Sequence, residues 1–389
     1  MPPVSRKRLA CITGLRGLAA LYVLLSHVWS QIWPAVAPPY GYGREPDGLI
    51  AWLSGWLYYG HFGVVVFLVL SGFCLMLPVV ENGGALPGGT RAFLARRAWR
   101  ILPPYYCAMA FSLLLIVLFI GEKTGSQWDI SLPVSIVGFL AHLLLLHDLV
   151  EATQINYVFW SIALEVQLYL LFPPLVAAWH RFGALRVAAC AIAMVYGTVL
   201  VLSCAGVDAV PPQFIGLCAC FVLGMGGATL LHHRETRWLA YPWGKTAAVL
   251  LALLSGLCAW WGHAEAERHL ALLDLLCALA TVALLLGAAR ARPGDQIRSA
   301  LEAPALVAAG TFSYSLYLVH APLLQLIWQY AIQPLGLPDA GQFGALLLTG
   351  VPASLGVAWM FFQGCEKHFA ASCRPEGIGM RRKEEWPAA

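Results

Sequence analysis

Apolar runs of about twenty residues recur along the chain, parted by short polar stretches, near 11–33, 60–80, 102–120, 158–179, 187–205, 213–231, 246–262, 270–289, 306–330 and 343–364. A helix rising about 1.5 Å per residue crosses a hydrocarbon layer of about 30 Å in roughly twenty residues, so each run is long enough to span a membrane. The pattern predicts an all-α polytopic membrane protein, a bundle of ten transmembrane helices. An eleventh apolar stretch, 133–150 (PVSIVGFLAHLLLLHDLV), begins with proline and holds His142, His147 and Asp148. Pattern alone leaves it open whether this stretch crosses.

The placement of basic residues decides between the two topologies, because one more crossing would exchange the sides of every later loop. With 133–150 entering and leaving on one side, and the N-terminus in the cytoplasm, the outer loops carry only Arg44, Lys123 and Arg268. The remaining loop arginines and lysines, from Arg6, Lys7 and Arg8 to Arg381, Arg382 and Lys383, then fall inside. A full crossing would put most of them outside, against the positive-inside rule. The expected topology is therefore ten spans with both termini cytoplasmic and a re-entrant or non-crossing segment at 133–150. Re-entrant backbone survives at membrane depth only where protein or a wet cavity covers it, so this segment is expected to line the site.

Composition agrees. Of 389 residues 60% are hydrophobic and 11% charged, with mean hydropathy +0.71, whereas soluble domains carry about 25% charged residues. This excludes an ordinary soluble domain, and a net charge of +4 gives no argument for nucleic acid. The basic head MPPVSRKRLA runs into an apolar stretch without a small-residue cleavage site and is expected to be retained. Residues 1–370 are read as a single membrane-embedded domain, and 371–389 as a short polar cytoplasmic tail. Most of the 11 cysteines lie inside apolar runs, where a thiol packs as a small hydrophobe, so no disulfide framework is expected. Cys218 and Cys220 point to opposite sides of a helix, and no metal site is predicted. The outer stretch 34–59, rich in Pro, Gly and aromatics, reads as a lid or an interfacial platform.

Candidate chemistry stands out against so apolar a background. Arg16 and His27 are eleven residues apart, which places them within roughly 20° of one helical face and about 16 Å apart along the axis. An ionisable side chain in a span is costly unless it lines a protein interior or a wet cavity, so the pair marks a site, with His27 able to act as a general base. Ser161, Glu165 and Tyr169 form an i, i+4, i+8 polar stripe. Tyr314, Tyr317 and His320 fall in TFSYSLYLVHAP, with Tyr317 and His320 adjacent on the helix surface. The basic run RAFLARRAWR carries Arg96, Arg97 and Arg100, either a topology anchor or an anion site. Ser71-Gly72 reads either as a close-packing contact or as part of the site. His61 at the outer mouth and the Glu366-Lys367 pair at the end of the last run read as interfacial.

In the order LRGLAALYVLLSH, FGVVVFLVLSGF, RRAWRILPPYY, FWSIALEVQLYLLFP, FSYSLYLVHAPL and Glu366-Lys367, these segments resemble the acyltransferase-3 family of integral membrane O-acyltransferases. The resemblance covers about Leu15 to Lys367. It departs at Val65 or Val66, where many relatives carry a polar or acidic residue, and at His368, where a proline commonly follows the glutamate. It implies transfer of an acyl group, most simply acetyl, from acyl-CoA to a hydroxyl of a carbohydrate or glycosylated acceptor, with no bound cofactor. Any further accessory chemistry would come from another envelope protein. On this reading His27 is the base, with Glu165 or His320 orienting it, or else carries the acyl group covalently. Arg16 holds the donor or stabilises developing charge, Arg96, Arg97 and Arg100 meet the donor phosphates, and Ser71, Ser161, Tyr169, Tyr314 and Tyr317 line the site. A transporter or flippase using Arg16, His27, Glu165 and His320 as a proton relay is the alternative; paired halves would accompany it, and none is visible.

Overall fold

A computed structural model describes residues 6–34, 46–150, 154–205, 212–232, 238, 240–292 and 294–371. The described residues form helices, turns and loops, without a strand. In chain order the helices are α1 Arg6–Ile32, α2 Gly48–Ser54, α3 His61–Glu81, α4 Gly89–Leu115, α5 Ile136–Leu143, α6 Trp160–Phe182, α7 Ala184–Ala205, α8 Pro212–Leu231, α9 Trp243–Arg268, α10 Leu270–Arg290, α11 Gln296–Leu301, α12 Pro304–Thr311, α13 Ser313–Ile327, α14 Asp339–Phe361 and α15 Lys367–Ala371. Every apolar run expected to span is helical. Among the described residues seven stretches are long and apolar enough to cross, and α12 with the chain from Ser313 to Leu335, bent by 77° between them, makes up to eight, fewer than the ten spans expected. Ala184–Thr198 and Gly216–Leu231 are shorter apolar helices among the described residues. The protein is thus an all-helical, multi-pass membrane protein.

The bundle is drawn together where glycine lets two backbones touch. A Cβ built on Gly17 of α1 would lie 2.0 Å from the Leu306 carbonyl oxygen of α12, and one on Gly72 of α3 would lie 2.0 Å from the Phe221 carbonyl oxygen of α8. Small residues at such crossings give a membrane bundle its van der Waals contact, since lipid supplies no hydrophobic drive between helices. The Ser71-Gly72 step therefore divides its two expected roles: Gly72 packs against α8 while Ser71 faces inward. No disulfide joins the described cysteines.

The segment 133–150 forms one eight-residue helix, α5, followed by turns. Its rise of about 12 Å is too short for a crossing. Ile136, Val137, Leu144 and Leu149 are exposed, whereas His142 and His147 are buried and stacked 3.8 Å apart between ring centroids. Tyr105 and Tyr106 of α4 donate to the carbonyls of His142 and Leu143, at 3.1 and 2.8 Å, so the end of α5 is tied to the middle of α4. Of the loop 34–59, residues 35–45 lie outside the described part, as does the tail from 372. In the rest, Trp52 and Trp56 are exposed beside the short α2.

Replacing Gly17 with valine overpacks the α1–α12 crossing and is expected to cost about 1–3 kcal/mol. Gly256 has open space around its Cβ position, so Gly256→Ala should leave the protein as stable or slightly more so. Thermal unfolding in detergent measures both, and equal melting of the two variants would contradict the packing described.

Candidate active site

Five helices, α1, α3, α4, α6 and α13, enclose a cavity of about 250 Å³. Arg16 enters it from α1, and Arg97 and Arg100, one turn apart on α4, from another wall. The three are not within ion-pair distance of any carboxylate among the described residues, and Arg97 has its Nε buried without a hydrogen-bond partner. Its guanidinium sits over the rings of Phe93 and Tyr169, each centroid 5.8 Å away, a cation–π arrangement that orients the cation without neutralising it. Guanidiniums held around one cavity create a strong field for an anion, and their planar forks suit phosphate oxygens. Arg96 does not line the cavity; its Nη2 donates to the Pro87 carbonyl at 2.9 Å and holds the turn that precedes α4.

The predicted stripe on α6 lines the opposite wall. One oxygen of Glu165 accepts hydrogen bonds from Ser71 Oγ at 3.1 Å and from Tyr169 OH, and the two hydroxyls are 3.0 Å from each other. Ser161, one turn toward the start of α6, donates instead to Tyr317 OH at 2.7 Å. Tyr314 also faces the cavity and donates to the Ile101 carbonyl at 3.1 Å. Cys74, read from sequence as a small hydrophobe, lies among the three arginines on the cavity wall.

His27 and His320 lie beyond the cavity wall, next to Tyr317. His27 Nδ1 and His320 Nε2 are 2.6 Å apart, and His320 Nδ1 is 2.9 Å from the Leu316 carbonyl. A carbonyl only accepts, so in the neutral ring His320 Nδ1 carries the proton and Nε2 accepts from His27 Nδ1–H. The lone pair of His27 is thereby assigned to Nε2, which has no hydrogen-bond partner among the described residues. Arg16 and His27 do share a face of α1, but their axial separation puts one in the cavity and the other past it. Glu165 makes its hydrogen bonds to Ser71 and Tyr169, and His27 makes its own to His320. Among the described residues, no side-chain hydrogen bond joins Glu165 to the histidines.

Residues of 133–150 do not line the cavity, contrary to expectation: Asp148 accepts from Gln167 Nε2 at 2.9 Å and His142 packs beside Phe159, which turns the segment's polar groups toward α6 rather than the cavity. Glu366 is the larger difference. It is 4% exposed, and its Oε2 accepts from Ser315 N at 3.1 Å and Ser315 Oγ at 2.6 Å, whereas Lys367 Nζ turns away to Gln363 at 3.0 Å. The last turn before it, Phe362–Glu366, is π-helical, and the wider turn swings this carboxylate inward next to the start of α13. Asp274 of α10 was not picked out from sequence; fully buried, it meets His61 Nε2 at 3.0 Å. An aspartate in the run LALLDLLCALA was the available signal, with a histidine as its partner.

Comparison with known proteins supplies the deciding observation: the family described as an acyltransferase domain, acyltransferase-3, matches residues 9–362. The chain belongs to the acyltransferase-3 family. This acyltransferase is 28% identical over 246 residues to an Acidianus two-tailed virus protein, provisionally named acetyltransferase ORF330, across 61% of this chain and 57% of that one. It is also 28% identical over 348 residues to the acyltransferase MdmB of Streptomyces mycarofaciens, across 82% of this chain and 80% of that protein. The chain thus spans little more than half the length of the viral relative. No solved structure matches. The chain thus carries an acyltransferase domain in a multi-pass membrane protein.

Glu366→Ala strands the Ser315 amide and hydroxyl and should cost about 1–3 kcal/mol of stability, while Lys367→Ala should leave melting unchanged. Equal effects of the two substitutions in a detergent melt would restore the interfacial reading of the pair.

Proposed function

We propose that this acyltransferase moves a small acyl group, most simply acetyl, from a cytoplasmic acyl-CoA to a hydroxyl of a carbohydrate or glycosylated acceptor. The observation that carries the reading is the convergence of Arg16, Arg97 and Arg100, none within ion-pair distance of a carboxylate among the described residues, on one cavity that ends next to a histidine pair. Coenzyme A brings a polyphosphate at one end and a thioester at the other, and an anion of that charge is what three guanidiniums in low dielectric favour. The name of the viral relative supports acetyl as the group moved. The basic residues on the proposed cytoplasmic side support ten spans with both termini inside, in a bacterial inner membrane. The donor then approaches from the cytoplasm, and an accessory envelope protein completes any further modification.

In this mechanism His27 Nε2 takes the proton of the acceptor hydroxyl as its oxygen attacks the thioester carbonyl. The C–S bond breaks, and the thiol of coenzyme A leaves with a proton. His320 acts through His27, fixing the tautomer that presents Nε2 and sharing the charge of the imidazolium. Arg16, in the cavity with Arg97 and Arg100, holds the donor. Glu165, held by Ser71 and Tyr169, offsets part of the cavity's positive charge, and Arg96 steadies the turn before α4.

Purified protein in liposomes, given radiolabelled acetyl-CoA and a saccharide acceptor, tests this. His27→Ala should lower transfer about 10²- to 10⁴-fold. Arg97→Ala should act mainly on the KM for the thioester, and His320→Ala mainly on kcat. Full transfer by His27→Ala would remove the base assigned here. An absence of thioester loss from the native protein, with acceptors present, would remove the donor.

A further inference from the structure

Between the cavity and the histidine pair stands one side chain. Tyr317 lines the cavity, yet its ring also packs against His320, with centroids 5.9 Å apart, and neither His320 nor His27 reaches the cavity itself. The ring is 7% exposed and abuts Phe67 edge-on at 6.4 Å, so two aromatic rings close this end of the cavity. Its hydroxyl is fastened at both of its hydrogen-bonding sites: it accepts from Ser161 Oγ at 2.7 Å and donates to the Val158 carbonyl at 2.9 Å. Ser161 lies in the first turn of α6 and Val158 in the turn just before it, so the ring is carried by α13 and pinned at the entry to α6. A phenol with its proton already given to a carbonyl is poorly placed to donate it to a thioester. Its geometry is that of a wall.

We propose that Tyr317 is the barrier between the guanidinium cavity and the His27–His320 pair, and that it determines what passes from one to the other. The acyl-transfer part of this rests on the function proposed above; the barrier does not. A closed ring keeps water on the His27 side away from a thioester in the cavity. Water would otherwise add at the carbonyl and break the C–S bond, giving the free carboxylic acid and the thiol of coenzyme A, with the acceptor unmodified. Transfer needs the ring to turn aside, releasing Ser161 and Val158, and a small acyl group demands the least displacement. Tyr317 is then a specificity-determining residue, selecting acyl size and coupling thioester cleavage to transfer.

Cys74 provides a reporter, since its thiol lies on the guanidinium side of the ring and is half-buried on the cavity wall. The native protein and Tyr317→Ala, in liposomes of each orientation, are treated with a membrane-impermeant charged maleimide, and the Cys74 peptide is quantified by mass spectrometry. Native Cys74 should be labelled from one face of the membrane only. In Tyr317→Ala it should be labelled from both, the second face rising about tenfold, a barrier drop of about 1.4 kcal/mol. Should Tyr317→Ala fail to fold, Tyr317→Phe, which keeps the ring and removes its hydroxyl, and Ser161→Ala, which keeps the ring and removes one of the hydroxyl's two partners, should raise second-face labelling by a smaller factor. Native-like one-sided labelling in a folded Tyr317→Ala, or in both milder variants, would overturn the barrier. A second arm measures acid released against acceptor modified with acetyl-, butyryl- and hexanoyl-CoA. Tyr317→Ala should raise that ratio and relax the preference for the shortest chain; an unchanged ratio and preference would overturn the selective role. Labelling requires no turnover, so failure of the acyl-transfer reading would appear in the second arm alone.

Discussion

Positive charge inside a membrane bundle must be covered, and in this protein three guanidiniums gather on one cavity, with Glu165 on its wall and Glu366 close enough to act on Arg16 and Arg100, but with no carboxylate within ion-pair distance among the described residues. Arg16, Arg97 and Arg100 share that cavity with Glu165, which is already engaged by Ser71 and Tyr169. A cation within a span is expensive unless protein or a wet cavity surrounds it, and the surrounding structure has to hold it in place. The glycine crossings of α1 with α12 and α3 with α8 do so by fixing the helices that carry Arg16 and Ser71 at backbone contact. The bend between α12 and α13 then lets one helix pack closely on α1 while the next brings Tyr314, Tyr317 and His320 to the centre.

The polar groups divide into two neighbourhoods along the bundle. One is the cavity, with its cations and the Ser71–Glu165–Tyr169 cluster. The other is the histidine pair, in which a single carbonyl, that of Leu316, orders the protons through His320 to His27. Tyr317 borders both. Such a division suits a reaction whose two substrates differ in chemistry, a charged donor on one side and a hydroxylated acceptor on the other.

Much of this was legible in sequence, for reasons of contrast. In so apolar a chain the 3.6-residue period of Ser161, Glu165 and Tyr169 is visible against its background, and all three prove to face the cavity. The non-crossing character of 133–150 came from charge, and the short α5 accords with it. Spacing could show that Arg16 and His27 share a face, but not that a tyrosine from a helix nearly three hundred residues later would stand between their surroundings. Glu366 was misread because its neighbour Lys367 suggested a surface pair, and a π-turn, which no local pattern announces, redirects it inward. The His61–Asp274 contact and the place of Cys74 are long-range facts that single runs of sequence do not contain.

On the mechanism proposed, the guanidinium cavity, and not the histidine pair, holds the donor. Equilibrium binding of coenzyme A to the purified protein, without acceptor and over a range of ionic strength, tests it most directly. The account predicts an affinity that weakens with salt, is lost when Arg97 and Arg100 are both replaced by glutamine, and survives His27→Gln. Binding that is indifferent to the two arginines, or abolished by His27→Gln alone, would contradict it.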